Sequence, residues 1–281
     1  MKKQLLGFLF VFISSFSFAA EDSILFSIQI KRGYYFNRAE LRSYSPLFGA
    51  LPSVELIDSI GLLKIPKSIE EGFYILTLRS AEFERDPMNL DIYINPNSDK
   101  FKLVWDIEGY QLNFSNSPEN QAWHDYIQEH ASIVSEIQSL RSKKALNSAK
   151  EQSMRKLQFK NRDAFVKKYQ NHFLGIYLSN LTKDKSPLLN LFWNGFDLRD
   201  ERLMNSSLYP KLIYEYSTLY NKSFPLSIYL EKFADELVKQ FSVTPKSYSY
   251  ILHVLTSLIQ QREQEDVLMN FDLKYNSSDS I

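Results

Sequence analysis

Four histidines, His124, His130, His172 and His253, are the side chains that titrate near neutral pH, and the sequence contains no cysteine. His124 and His130 stand six residues apart, whereas two imidazole ligands on one helix face need a separation of four. That mismatch predicts histidines at a core edge or on the surface, with no metal centre. The eight glycines are scattered, so no loop is composed to cradle a phosphate, and no Gly-x-Ser-x-Gly elbow presents a nucleophile. Aspartates and glutamates are plentiful, but no spacing joins two of them into an acid/base pair. Without a thiol there is no sulfur nucleophile. The expectation is a non-enzyme, with no catalytic, cofactor-binding or metal-binding residues.

One stretch could still make a contact surface. In Asn190–Leu203, Phe192, Trp193 and Phe196 would form an aromatic platform, rimmed by Asp197, Arg199, Asp200 and Arg202. A peptide or a glycan would suit such a surface. The same residues also fit a structural role, with the aromatics plugging a helical core and Asp197 or Asp200 capping a turn. At 15% aromatic content the structural role is the favoured one. A second charged feature is the run Lys143, Lys144, Lys150, Arg155, Lys156, Lys160, Arg162, Lys167 and Lys168. Anionic lipid or an acidic partner would complement it, although such a run is more often a solvated helix face.

The elements around these residues follow from pattern. Lys2 and Lys3, an apolar run from Leu5 to Ile13, and Ser17-Phe18-Ala19 form a secretion signal over residues 1–19. The run is too short to span a bilayer, so the mature chain is expected to be exported with no stable membrane span. Basic and acidic residues balance at 33 each, which argues against a nucleic-acid partner. From residue 20 to 116 apolar residues alternate in seven short runs: Ser23–Ile30, Ala39–Tyr44, Val54–Ile60, Phe73–Leu78, Leu90–Ile94, Phe101–Trp105 and Gln111–Phe114. They predict an antiparallel β-sandwich or open barrel. Ser117-Pro118-Glu119 then combines an N-cap, a first-turn proline and an acid at a helix start. Beyond it, residues 117–275 have helical period. The first helix carries Trp123, Tyr126, Ile127, His130, Val134, Ile137 and Leu140. A polar helix covers Ala145–Tyr169 with Leu157, Phe165 and Tyr169 inward, and a short one covers Phe173–Leu181. Later helices start near Ser207, Pro225 and Pro245, and the last spans Glu263–Tyr275. The fold class is therefore α+β, a β region followed by a helical bundle, with a disordered tail at 276–281.

The order of a β-rich region, the joint Phe114-Ser115-Asn116-Ser117-Pro118-Glu119-Asn120 and a helical array resembles the N-terminal extension of exported TlpA/ResA-like thioredoxin-fold proteins of Bacteroidetes. The β region is similar to the domain DUF4369 and the helical region to DUF5106, with Asn190–Leu203 the most family-like stretch. Members of that family continue into a thioredoxin domain with a Cys-x-x-Cys motif, and no position here matches it. The resemblance implies a non-catalytic accessory or protein-interaction module, periplasmic or envelope-associated, for which a homodimer and a separate thioredoxin-fold partner are the expected assemblies. Two alternatives are the substrate-positioning half of a split thiol-disulfide reductase and a periplasmic ligand-binding protein using the cleft between the two regions. Asp22-Ser23-Ile24, Asp58-Ser59-Ile60 and Asp279-Ser280-Ile281 resemble Bacteroidetes O-glycosylation sites; Ser23 and Ser59 fall in expected strands.

The signal yields a direct prediction. N-terminal sequencing of the protein from its native envelope should begin at Ala20 or Glu21, and recovery of intact Met1 would contradict export by cleavage.

Overall fold

The computed structural model describes residues 22–31, 36–47, 49–80, 87–109, 111–143, 147–219 and 225–275. The expected signal, the tail at 276–281 and the third glycosylation-like triplet lie outside the described residues. The architecture is α+β: among the described residues, eight strands in two sheets precede seven α-helices. The first sheet has the order β4 (Ile60–Pro66), β1 (Ser23–Lys31), β7 (Lys100–Asp106), β8 (Gln111–Ser115). The second has the order β3 (Ser53–Glu55), β2 (Arg38–Ser43), β5 (Gly72–Arg79), β6 (Met88–Ile94). The two sheets do not close on one another. Their facing sides share one core, in which Ile24, Phe26 and Ile28 of β1 meet Leu76 and Leu78 of β5 and Ile92 and Ile94 of β6.

Two strand expectations need correction. The pairing is not wholly antiparallel, because β1 lies parallel to β7, with Phe26 opposite Phe101 and their rings stacked at 4.3 Å. Alternation reports which side of a strand is apolar and carries no information about its partner's direction. The run Val54–Ile60 is also not one strand. Asp58 and Ser59 both have positive φ, at 50° and 62°, and Ile57 and Ile60 exchange two 2.9 Å main-chain hydrogen bonds across them. This is the left-handed pair of a two-residue hairpin turn, and it delivers the chain into β4, which alternation had left unassigned. Ser59 consequently sits on a turn and not in a strand.

β5 is buried on both sides. Tyr74, Leu76 and Leu78 face the inter-sheet core, whereas Phe73 points the other way into a helical core. Tyr93 of β6 joins Phe73 there. The helices that cover this outer face are α1 (Pro118–Ser142) and α3 (Phe173–Leu181), through Trp123, Phe173 and Tyr177, with ring centroids 4.8–5.7 Å from that of Phe73. Between them, α2 (Ser148–Lys168) folds back on α1. Of the residues expected inward on α2, Phe165 is buried and Tyr169 half-buried, but Leu157 is 47% exposed. Ile127 and His130 of α1 are exposed too. α2 packs chiefly on α1 and α3 alone, so its apolar stripe is narrower than that of a helix surrounded in a bundle. The array continues with α4 (Leu208–Leu219), α5 (Leu226–Phe241), α6 (Pro245–Gln261) and α7 (Glu265–Tyr275), near the starts that Ser207, Pro225, Pro245 and Glu263 mark.

The first turn of α1 bridges the open edges of both sheets. Asn120 accepts the Tyr93 N–H at 2.8 Å and donates to the Tyr93 carbonyl at 2.7 Å, so its amide acts as one more strand residue beside β6. The adjacent Gln121 does the same for β8, accepting from the Phe114 N–H at 2.7 Å and donating to the Leu112 carbonyl at 3.4 Å. Ser117 is the N-cap residue, but its hydroxyl accepts from the Asn120 amide at 2.9 Å and caps no backbone N–H. The expected cap is thereby replaced by a brace for the strand-mimicking amide.

Asn120 is 0% exposed. Asn120→Ala should therefore cost about 3 kcal/mol in urea unfolding, because two main-chain groups lose their partner where water does not reach. Gln121→Ala, at a more solvated edge, should cost about 1 kcal/mol or less. Equal small losses would show that both edges are hydrated.

Candidate functional site

The Asn190–Leu203 segment is a strut between the helical array and the second sheet. Phe192 and Trp193 are buried, with Trp193 6% exposed, and they pack on Tyr216 of α4; Trp193 also meets Phe241 of α5 at 5.4 Å. They cannot form an open platform. Phe196 is half-buried beneath the Lys183 ammonium, 5.5 Å from its ring centroid. Gly195 takes φ +82°, and a Cβ there would lie 2.8 Å from Lys183 Nζ. Asp197 accepts from the Arg199 N–H at 3.1 Å, an Asx turn that leaves Arg199 exposed. Asp200 receives a two-pronged contact from Arg202, both arms 2.8 Å. Arg202 also lies 3.8 Å from Glu71, and Glu71 accepts from the Tyr93 hydroxyl at 2.5 Å. Asp200 and Arg202 thus tie a short 3-10 helix, Glu201–Met204, to the start of β5. Next to them Asn205 accepts the Phe73 N–H at 2.8 Å through its main-chain carbonyl. A Cβ on Gly72 would stand 2.6 Å from that oxygen, so the joint requires glycine.

Four titratable groups with shifted acidity, Tyr44, Asp91, His124 and Tyr177, gather on the same outer face. Tyr44 donates to Asp91 Oδ1 at 2.5 Å, and the His124 ring donates to the Asp91 carbonyl at 3.0 Å while stacking on Phe114. Burial holds the Asp91 carboxyl above its usual range, against the opposing effects of the Tyr44 hydrogen bond and the His124 charge. Burial also pushes His124 down and Tyr44 up. Tyr177, raised to about 12 by burial, bonds Ser207 at 2.7 Å. Each of these groups already has a partner in the seam between sheet and helices. His130, His172 and His253 are exposed and apart from it, and no group of three metal-ligating side chains occurs among the described residues.

A trough of about 760 Å³ lies elsewhere, between α4, α5 and α6. Its walls are Ile213 of α4, Leu226, Leu230 and Phe233 of α5, and Val254 and Leu258 of α6, with Tyr214 at the rim. α5 and α6 pack closely on each other, whereas α4 is held chiefly by α3 and the 3-10 helix, which leaves the wedge open. Arg262, the C-cap residue just after α6, lines the trough at the end of the α6 wall. The Tyr229 hydroxyl is raised by burial and lowered by its bond to Ser217 and by the Arg262 charge, which places that charge near the trough's polar wall. A smaller hollow of about 310 Å³ shares Pro210, Val254 and Leu258 with the trough and reaches Tyr44 and Pro46 of the β region. Leu226, Leu230, Phe233 and Leu258 lie on the apolar stripes expected of the later helices, but that they line an open trough escaped the sequence analysis. The available signal was the excess of apolar residues on α4, where Tyr214 and Leu219 lie outside the buried stripe, Tyr214 being 71% exposed.

No protein-family model matches this chain, and no curated protein matches it either. No described helix is long and apolar enough to cross a membrane.

The seam carries a pH dependence. His124 has a folded pKa below its ordinary 6.5, so folding excludes its proton, and its contribution is intact above pH 6.5 and lost as pH falls through the folded value. Asp91 has the opposite sign, since its raised pKa favours folding as it protonates, but in the more acidic carboxylate window. Urea unfolding should therefore show stability falling between pH 7 and 5.5. His124→Gln should flatten that slope, and an unchanged slope would remove His124 as its source.

Proposed function

We propose that this protein is a non-catalytic, exported accessory module that works by binding, and that the trough between α4, α5 and α6 is where it binds. The observation that carries this is a preformed cavity of about 760 Å³ with mostly apolar walls, inside the usual range for ligand sites. The titratable clusters, by contrast, are engaged in joining the two regions. In this proposal the β region, two sheets facing across one core in the manner of a sandwich, serves as scaffold. The resemblance to the front part of thioredoxin-fold oxidoreductases supplies the setting: an envelope protein that accompanies a thiol-redox partner and contributes recognition, having no cysteine of its own. The binding site proposed is within the helical array, whereas the sequence had suggested a cleft between the two regions.

Nile red, a neutral apolar dye, tests the trough without presupposing its occupant. One dye per chain should bind with enhanced emission, and Ser217→Trp, which fills the trough from the α4 wall, should abolish binding while the melting temperature stays within a few degrees. Undiminished binding to a folded Ser217→Trp variant would place the apolar site elsewhere.

A further inference from the structure

We infer that the occupant of the trough is an aliphatic amphiphile with a single carboxylate, its chain along the helix walls and its head at Arg262. The inference rests on the trough being the binding site. Its first support is charge. Among the described residues that line the trough, Arg262 is the one charged side chain. Among the described residues it forms no ion pair, and none of those that line the cavity is a carboxylate. Glu215 of α4, the nearest acid along that helix, is engaged by Lys185. A cation left alone at the end of an apolar cavity is complemented by one anionic group.

The second support is the state of the hydroxyls. Ser217 donates to the Tyr214 carbonyl at 2.6 Å, Thr218 to the Glu215 carbonyl at 2.7 Å and Tyr229 to the Ser217 carbonyl at 3.3 Å. Their hydrogens are spent on the helices. Among the described side chains that line the trough, the donors left are the Arg262 guanidinium and the Tyr214 hydroxyl at the rim. A bound peptide brings one carbonyl and one N–H per residue, each costly to bury without a partner. An aliphatic chain brings none. The walls therefore favour a hydrocarbon chain over a polypeptide segment, and the adjoining hollow beyond Pro210, Val254 and Leu258 extends the apolar path.

The test is displacement of Nile red from the whole chain at low salt by three probes: dodecanoate, dodecanol and N-acetyl-tetraleucine. Dodecanoate should bind about tenfold tighter than dodecanol, the effect of one charge-assisted contact. Arg262→Gln should erase that difference and leave dodecanol unchanged. Arg262 is exposed and its cap is made by the main chain, so the substitution retains the helix end. Equal binding of dodecanoate and dodecanol, or a dodecanoate affinity indifferent to Arg262→Gln, would overturn the carboxylate while leaving the trough in place. Tighter binding of the acetylated peptide than of dodecanoate would overturn the hydrocarbon chain. Failure of Nile red to bind at all would remove the trough itself.

Discussion

The structure depends on how the main-chain groups along β6 and β8 are satisfied. Two open sheets end in edges, and an edge beside a hydrophobic core presents N–H and carbonyl groups that must find partners or be hydrated. Here neighbouring side chains on the first turn of α1 supply them, Asn120 toward β6 and Gln121 toward β8. Successive residues on a helix point about 100° apart, so one turn can serve two edges at once. The same contact sets where α1 starts, and with it the placement of Trp123 and His124 against the second sheet. The helical array is built outward from that placement.

The second sheet in turn belongs to two cores. Its inner side completes the inter-sheet core, and its outer side presents Phe73 and Tyr93 to α1 and α3. Burial on both sides explains why β5 reads as an apolar run broken only by Thr77 between Phe73 and Leu78. It also explains the polar features nearby. Glu71, Arg202 and Asp200 on one flank, and Tyr44, Asp91 and His124 on another, are groups that would be costly to bury singly, and they are hydrogen-bonded or ion-paired across the joint. Shifted acidities at such positions follow from desolvation and partner choice, and they mark a joint as readily as a reaction centre.

The trough has a different origin. Helices whose apolar surface exceeds one stripe bury what they can and leave the rest at a wedge. α4 is fixed at its inner side by Tyr216 against Phe192 and Trp193, and α5 packs on α6, so the outward apolar residues of α4 and α5 face each other across open space. The strut, whose aromatics the sequence favoured as a plug for the helical core, therefore holds the cavity's inner wall.

Local pattern determined much of this protein. Two-residue alternation located β1, β6 and β7, because neighbouring side chains of a strand face opposite ways wherever the strand is placed. Pro118 and Pro245 marked helix starts, because the first turn needs no N–H there. The absence of cysteine excluded thiol chemistry in this chain outright. Tertiary structure decided the rest. The parallel pairing of β1 with β7 depends on burial between distant segments. The turn at Asp58-Ser59 uses positive φ without the glycine or asparagine that would announce it. Leu157 is exposed and Trp193 buried because of which helices happen to lie beside them, not because of their own stripes. A cavity is the volume that packing leaves unfilled, and no single helix's residues specify it, so the trough and its lone arginine became visible only when α4, α5 and α6 were brought together.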